Sequence, residues 1–498
     1  MSTSPTPRQI ALAPGDGIGP EITQAVLEVF RAAGVEKHLE FVPVEMGRRI
    51  FDTGNSRGMT DECVRLVEEC GLLFKGPLET PKGGGGKSIN VTARKIWNAF
   101  ANLRHFQTLP GVETPYSRAG INVNFYIVRE NIEDTYGGIE HRLSSDVVQC
   151  KRLTSAPGSD QVARFAFQTA RAQGLRRVHC GHKANIMKMT DGLFLDRFRA
   201  AAQDFPEIEH GDVIVDALCM NLVMKPQQYS MVVLPNLQGD IVSDLAAGLV
   251  GGLGFAPSAN IGRHISIFEA VHGTAPDIAG RGIANPTALL LSGIMMLRHV
   301  GLHRQASAIE NALLTALEDG VRTGDFGDNQ RPPLGTIDYG RAIADRLGQK
   351  PTTVPSSADH PDAAPTLALP ERPQHQALLH TYANVVSHVV GCDIYLDAPI
   401  STISLAEEMN RISSDTPFRL TLISNRGTVV WPTGSIYTEC VDYWRVRFEL
   451  REGVIPGTFG QARTIALLDR VAEKFTVCSY ELLRTFDGVK GYSLAQGQ

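Results

Sequence analysis

Short apolar runs of strand length alternate with longer amphipathic runs through the first 76 residues, and this limits the fold more than any other feature. IALAP, at 10–14, reads as a buried strand and its exit, and GDGIGPE turns the chain. EITQAVLEVFRAAG then sets Ile22, Val26, Leu27, Val29 and Phe30 at helical spacing, with Pro20 early in the helix and Gly34 as its C-cap. FVPVEM is a second strand, TDECVRLVEECG a second helix and LLFKGP a third strand. Strands separated by helices predict a mostly parallel α/β sheet.

The pattern resumes at Ile121 with INVNFYIVREN as a strand. Residues 134–156 mix polar and strand-like segments and suit an antiparallel arm. DQVARFAFQTARAQG is an amphipathic helix, RRVHCGHKANI a strand with its exit, and a helix covers about 191–203. Further helices are expected at NPTALLLSGIMMLRHVG and QASAIENALLTALEDG. Composition changes at 346–386, where proline, serine and alanine replace any core-forming period, so this segment reads as a linker. The expected domains are a large α/β domain from 1–99 and 251–345, a small one from 100–250 that includes the arm, and an α+β domain at 387–498.

A formal charge of −5 leaves no broad basic footprint for nucleic acid. The eight cysteines have no CxxC pair or repeated close spacing, which argues against a zinc knuckle or a disulfide scaffold. No apolar run reaches the roughly 18 residues of a membrane span, and MSTSPTPRQIALAPG lacks a secretory apolar region. The expectation is a cytoplasmic protein without membrane or nucleic-acid partners.

Between Glu79 and Arg104 lies ETPKGGGGKSINVTARKIWNAFANLR. Glycines 83–86 allow close backbone approach to a ligand. A helix starting near Ser88 puts Asn90 and Arg94 on one face, and Arg104 follows. Two arginines suit a ligand with several carboxylates; the same residues also suit a surface turn before an ordinary helix. Arg129, at a polar strand end, is a third anion clamp or a salt-bridge partner. Asp240 and Asp244 are four apart and repel unless hydrated or sharing a cation, and Asp216 stands in an apolar run where burial without a partner is costly. Three carboxylates with oxygen donors favour Mg²⁺ or Mn²⁺ over zinc; capping and surface roles are the alternative. Tyr136 and Lys183 are candidate proton-transfer groups or a structural tyrosine and a surface lysine. GDGIGP matches neither dinucleotide nor P-loop spacing and reads as a tight turn.

Taken together, GDGIGPE, KGPLETP, SINVTARK, ANLR, VRENIEDTYGG, HKANIMK, NLQGDIVSDLAAGLVGGLGFAPSANIG and HGTAPDIAG resemble, in order, the isocitrate dehydrogenases of the metal-dependent β-decarboxylating dehydrogenase family. The resemblance covers residues 8–345, and TPFRLTLISNRGT resembles the C-terminal extension of a longer bacterial subtype. It implies that family's α/β fold, distinct from the Rossmann fold, with a small α+β C-terminal domain. It implies that Thr80, Ser88, Asn90, Arg94, Arg104 and Arg129 meet isocitrate, that Asp216, Asp240 and Asp244 hold Mg²⁺ or Mn²⁺, and that Tyr136 and Lys183 move protons. Asp216 and Lys183 would come from the neighbouring subunit of a homodimer, with the 134–156 arm as a clasp. Thr80, His272, Gly273, Asp277, Ile278, Ala284 and Asn285 would line the coenzyme. Asp277 stands where NADP users of the family commonly carry lysine, and a carboxylate favours two free ribose hydroxyls over a 2′-phosphate, so the expected coenzyme is NAD. The expected reaction is oxidative decarboxylation of isocitrate to 2-oxoglutarate. The alternatives are an NADP-dependent isocitrate dehydrogenase, a homoisocitrate or isopropylmalate dehydrogenase, and a noncatalytic regulatory or scaffold protein.

Overall fold

The computed structural model of the protein describes residues 7–79, 88–326, 332–358, 385–434, 437–458 and 460–494. Thr80, glycines 83–86 and most of the expected linker lie outside them. The chain separates into two compact units, Met1–Gly137 with Arg152–Pro373, and Gly138–Lys151 with Gln374–Gln498. No described helix is long and apolar enough to cross a membrane.

The first unit is built on one ten-stranded sheet. Its early strands are β1 (Arg8–Ala13), β2 (Leu39–Pro43), β3 (Leu72–Lys75), β4 (Ala101–Gln107) and β5 (Asn124–Glu130). A hairpin of β6 (Glu140–Arg142) and β7 (Val148–Cys150) follows and falls in the second unit. The sheet is completed by β8 (Arg177–His182), β9 (Glu209–Ile214), β10 (Met231–Leu234), β11 (Pro257–Ile261) and β12 (Ser266–Ala270). The strand order is β2-β1-β3-β12-β11-β4-β5-β10-β8-β9. Both outer parts are parallel, as the strand–helix alternation requires, but β12–β11, β11–β4 and β4–β5 pair antiparallel. The stretches read as two α/β domains therefore share an unbroken sheet, whose antiparallel middle is where the polar residues gather.

Local chemistry sets the helix ends. The helix Asp61–Cys70 begins where the Thr60 hydroxyl accepts from the Cys63 amide and ends at Gly71 with φ +70°. The helix Gly19–Ala32 lays Ile22, Val26, Val29 and Phe30 into the core, where Phe30 packs on Phe41 and Phe74 at ring distances of 6.0 and 5.9 Å. GDGIGP is a turn locked by its neighbours: a Cβ on Gly17, at φ +58°, would lie 2.1 Å from the Thr274 carbonyl oxygen. Asp16 accepts from the Arg48 amide at 3.0 and 3.1 Å and from the Glu79 amide at 2.9 Å. Its carboxylate thus caps the helix Arg48–Asp52 and fixes the chain as it leaves β3.

The second unit carries β13 (Ser387–Asp397), a helix Thr402–Ser413, β14 (Phe418–Asn425), β15 (Thr428–Trp431), β16 (Tyr443–Leu450), a helix Ala462–Ala472, β17 (Thr476–Phe486) and β18 (Val489–Lys490). The order β14-β16-β13-β17, with β15 and β18 at the edges, is a ferredoxin-like β-α-β-β-α-β winding. One sheet face packs Ile394, Val446 and Phe448 against Leu405, Met409 and Leu467 of the helices. The other pairs Arg447 with Asp393 through two hydrogen bonds of 2.7 and 2.8 Å.

Replacing Asp16 tests the capped turn. Asp16→Ala leaves the part-buried Arg48 amide and the exposed Glu79 amide without this acceptor, and the expected loss is about 2 kcal/mol in urea unfolding of the full chain. A midpoint unchanged from wild type would contradict this account of the turn.

Candidate active site

The middle strands carry a polar face. In the row across β5, β4 and β11, Arg129 lies opposite Asn102 and Asn102 opposite Asn260. In the next row, Arg104 lies opposite Ser258, Ser258 opposite Glu269, and Glu269 opposite Lys75. Every side chain in the two rows is buried. Arg104 donates to Asn102 at 2.6 Å and to Ser243 at 2.5 Å, and Asn102 donates to Ser258 at 2.7 Å and to Asn260 at 2.9 Å. Asn260 in turn donates to Glu269 at 2.8 Å.

The helix Ile89–Ile96 starts with Ser88 at its N-cap position and carries Asn90 and Arg94. Arg94 pairs with Glu269 at 3.0 Å, and Lys75 pairs with the other oxygen of the same carboxylate. Asn90 keeps a buried side-chain oxygen without a hydrogen-bond partner among the described residues. An amide carries both an acceptor oxygen and a donor NH2, so its rotation can offer either to a ligand.

The helix Asn236–Leu249 places Asp240 and Asp244 one turn apart. Asp240 accepts from Arg129 and from the Tyr136 hydroxyl at 2.6 Å, with Arg104 at 3.6 Å. The Arg129 guanidinium lies over the Tyr136 ring at 4.8 Å, and Asn236 accepts from its Nε at 2.9 Å. Asp244 is exposed.

These charges tune one another. Burial lowers Arg104 to about 9, with Arg129 adding repulsion, and burial followed by Arg94 lowers Arg129; at pH 7 Arg104 stays a cation. Burial alone would raise Asp240, but Arg129 and the Tyr136 hydrogen bond outweigh it and hold the carboxyl below its usual range. Asp244 is raised, chiefly by partial desolvation from the protein around it, with Asp240 adding repulsion. Tyr136 is raised by burial and by its hydrogen bond to Asp240, so the phenol keeps its proton at neutral pH. Glu269 is driven well down because Lys75 and Arg94 overcome its burial.

Lys183 and Asp216 form a separate pair, Nζ to carboxylate 2.5 Å. Asp216 corrects the sequence expectation of a carboxylate in a buried apolar run. The strand ends at Ile214 and a helix, Val215–Met224, starts beneath it, leaving the Asp216 side chain 68% exposed in the first turn. The hydrogen bond from Lys183 lowers its pKa. Among the described residues, no three His, Cys, Asp or Glu side chains of the chain converge as a metal-ligand group. Two carboxylates of the expected set thus share a helix, and the third stands apart.

Of the residues expected to line the coenzyme, Gly273 and Asp277 are exposed and Ile278 packs on the core. His272 is lowered by burial, and its Nε2 has no partner among the described residues. Ala284 is fully core, and Asn285 is committed to Asp325 at 3.0 Å and the Thr287 amide at 2.9 Å. Sequence reasoning missed Lys75, Asn102, Ser243, Asn260 and Glu269. Lys75 and Glu269, ionisable residues inside apolar strands, were the available signal.

A family of isocitrate and isopropylmalate dehydrogenases matches residues 9–343, and the C-terminal domain of bacterial isocitrate dehydrogenases matches 387–498. A Thermus thermophilus protein named as an NADP isocitrate dehydrogenase is 42% identical over 98% of this chain and 96% of its own length. A crystal structure of a Thermus thermophilus protein superposes with a TM-score of 0.89 at 41% identity, covering 98% of this chain and 96% of that one. A mitochondrial protein of Arabidopsis thaliana, named as a catalytic component of an NAD isocitrate dehydrogenase, is 44% identical over 69% of this chain and 90% of its own.

The NAD expectation is corrected by the relatives that match along 98% of the chain, from Thermus and five Rickettsia species, all named as NADP isocitrate dehydrogenases. The reason lies in the exposure of Asp277. A carboxylate in open solvent repels a phosphate 4 Å away by only about 1 kcal/mol per unit charge, and Arg281, exposed on the same loop, brings the opposite charge.

Glu269→Gln should cost about 3–5 kcal/mol in urea unfolding at pH 7, because it strips buried Lys75 and part-buried Arg94 of their charge partner. The folded pKa of Glu269 lies below its unfolded value of about 4.3, so its stabilisation is complete above that pH and declines as pH falls toward the folded value. The gap between wild type and variant should therefore shrink at pH 3.5; a constant gap would contradict the assignment.

Proposed function

Because the chain belongs to the isocitrate/isopropylmalate dehydrogenase family and carries the bacterial C-terminal domain, we propose that it oxidatively decarboxylates isocitrate to 2-oxoglutarate with NADP⁺ as hydride acceptor. The observation that carries the reading is the excess of positive charge at the polar face. Arg94, Arg104, Arg129 and Lys75 face two carboxylates, Glu269 and Asp240. Such a grid favours a ligand with several negative charges, and Ser88 and Asn90 add neutral polar groups suited to a further carboxylate rather than an alkyl chain.

Asp240 and Asp244, with Asp216 of a neighbouring subunit, would hold Mg²⁺ or Mn²⁺; all three offer oxygen donors, which these cations require. Bound there, the cation would supply Lewis acidity at the α-hydroxyl, and the coenzyme would supply the hydride acceptor. The arginines orient the substrate carboxylates. Lys183, brought with Asp216 by the neighbouring subunit, assists removal of the hydroxyl proton. Tyr136, protonated at neutral pH, supplies the proton that replaces the lost carboxylate at carbon. Arg281 and His272 are the groups we assign to the phosphate and adenosine side.

A homodimer with shared sites is supported by the surface of two helices. Val215–Met224 exposes Met220, Val223 and Met224 on the Asp216 side, and Asn236–Leu249 exposes Leu237 and Ile241 beside Asp240. Apolar side chains in that number around catalytic carboxylates call for a covering partner.

Steady-state rates with isocitrate, NADP⁺ or NAD⁺, and Mg²⁺ or Mn²⁺ test the proposal, with light scattering on the same preparation. The expected outcome is a dimer or larger assembly that requires the metal and has a higher kcat/KM for NADP⁺. Higher efficiency with NAD⁺ would overturn the coenzyme, an active monomer the shared site, and no turnover of isocitrate the reading itself.

A further inference from the structure

Two carboxylates stand behind the proton-transfer residues, and one guanidinium joins them. Asp134, two residues before Tyr136, is 3% exposed and adopts φ +66°, a left-handed conformation uncommon outside glycine. Its carboxylate accepts from the Thr135 amide at 2.7 Å and the Leu237 amide at 3.0 Å, and so shapes the turn Thr135–Gly137 and holds it to the helix bearing Asp240. Asp191 is completely buried. It accepts from the Lys183 amide at 2.7 Å and from Gln238 at 2.9 Å, and so holds the exit of β8 to the same helix. Arg152 lies between them, 2.9 Å from Asp134 and 2.9 Å from Asp191.

We propose that Arg152 is a positioning residue that cross-braces the Tyr136 turn and the Lys183 segment onto the Asp240 helix. The inference rests on the proton-transfer roles assigned above to Tyr136 and Lys183. Without a cation between them, two buried carboxylates would repel and relax apart. Asp134 would then turn from the Leu237 amide and Asp191 from the Lys183 amide, displacing Tyr136 in this subunit's site and Lys183 in the neighbouring subunit's site that it serves. The carboxylates that Arg152 holds are not those that hold Arg94, Arg104 and Arg129, the residues assigned to the substrate. Its loss therefore acts on the chemical step and not on substrate capture. Its planar guanidinium reaches both carboxylates at once, a geometry an ammonium reproduces only in part.

The test is a kinetic comparison of the full-length enzyme with Arg152→Gln and Arg152→Lys, accompanied by thermal melting. Arg152→Gln should lower kcat about 30-fold, as misplacement of catalytic groups by a fraction of an ångström does, with the isocitrate KM within about threefold of wild type. Arg152→Lys, which keeps the charge, should recover a large part of kcat. If Arg152→Gln does not fold, Asp191→Asn, which loosens only the Lys183 side, should show the same split with a smaller loss of about tenfold. A lower melting temperature with unchanged kcat, or equal proportional changes in KM and kcat, would reduce Arg152 to a structural contact and overturn the inference. A wild-type enzyme idle on isocitrate would overturn the functional reading and this inference with it. An active wild type whose variants keep their kcat would overturn the inference alone.

Discussion

Buried positive charge at the centre of the ten-stranded sheet is the constraint around which the first unit is arranged. Desolvating a guanidinium is expensive, and Arg104 and Arg129 are both buried and close enough for Arg129 to depress the pKa of Arg104. The surrounding residues answer that expense. Glu269 takes Lys75 and Arg94, Asp240 takes Arg129 and Arg104, and Asn102, Asn236, Asn260, Ser243 and Ser258 supply further hydrogen bonds. Directly opposed residues on β5, β4, β11 and β12 share a face, and the parallel pairing of β12 with β3 carries the second row on to Lys75, so two polar rows cross the middle of the sheet.

The parts of the fold legible in the sequence are those with a clean period. The helices Gly19–Ala32, Asp61–Cys70 and Ala156–Ala172 and the parallel strands around them declare themselves through apolar spacing, although the last starts before the expected DQVARF run. β4 and β11 do not. Asn102, Arg104, Ser258 and Asn260 point into a buried site, so the alternation that marks an ordinary strand is inverted where function lies. The same inversion hides Glu269 and Lys75, whose meaning emerges only when the strands are laid side by side.

Individual side chains are harder to judge than the pattern. Asp216 looks costly in an apolar run because the turn from strand to helix at Ile214 leaves no mark in the sequence, and that turn puts it in solvent. Asp277 looks decisive for the coenzyme when its residue type is weighed without its exposure. Asn285, expected to face adenosine, spends both ends of its amide on Asp325 and on the start of the helix Thr287–His299. Arg152 gives no signal in the sequence, since its two partners come from segments 18 and 39 residues away. Local spacing reports what a helix or strand buries, whereas the charge balance of a site depends on elements that only the tertiary fold brings together.

The central claim is that the polar face, with cations in excess of carboxylates, selects a tricarboxylate over a substrate carrying an alkyl group in place of its third carboxylate. The measurement that tests it most directly is kcat/KM for isocitrate against that for 3-isopropylmalate, on one preparation under one set of coenzyme and metal conditions. The account predicts a preference for isocitrate of at least about 100-fold, the discrimination lost when a buried polar site is left unpaired. Equal efficiency on the two substrates, or a preference for 3-isopropylmalate, would contradict it.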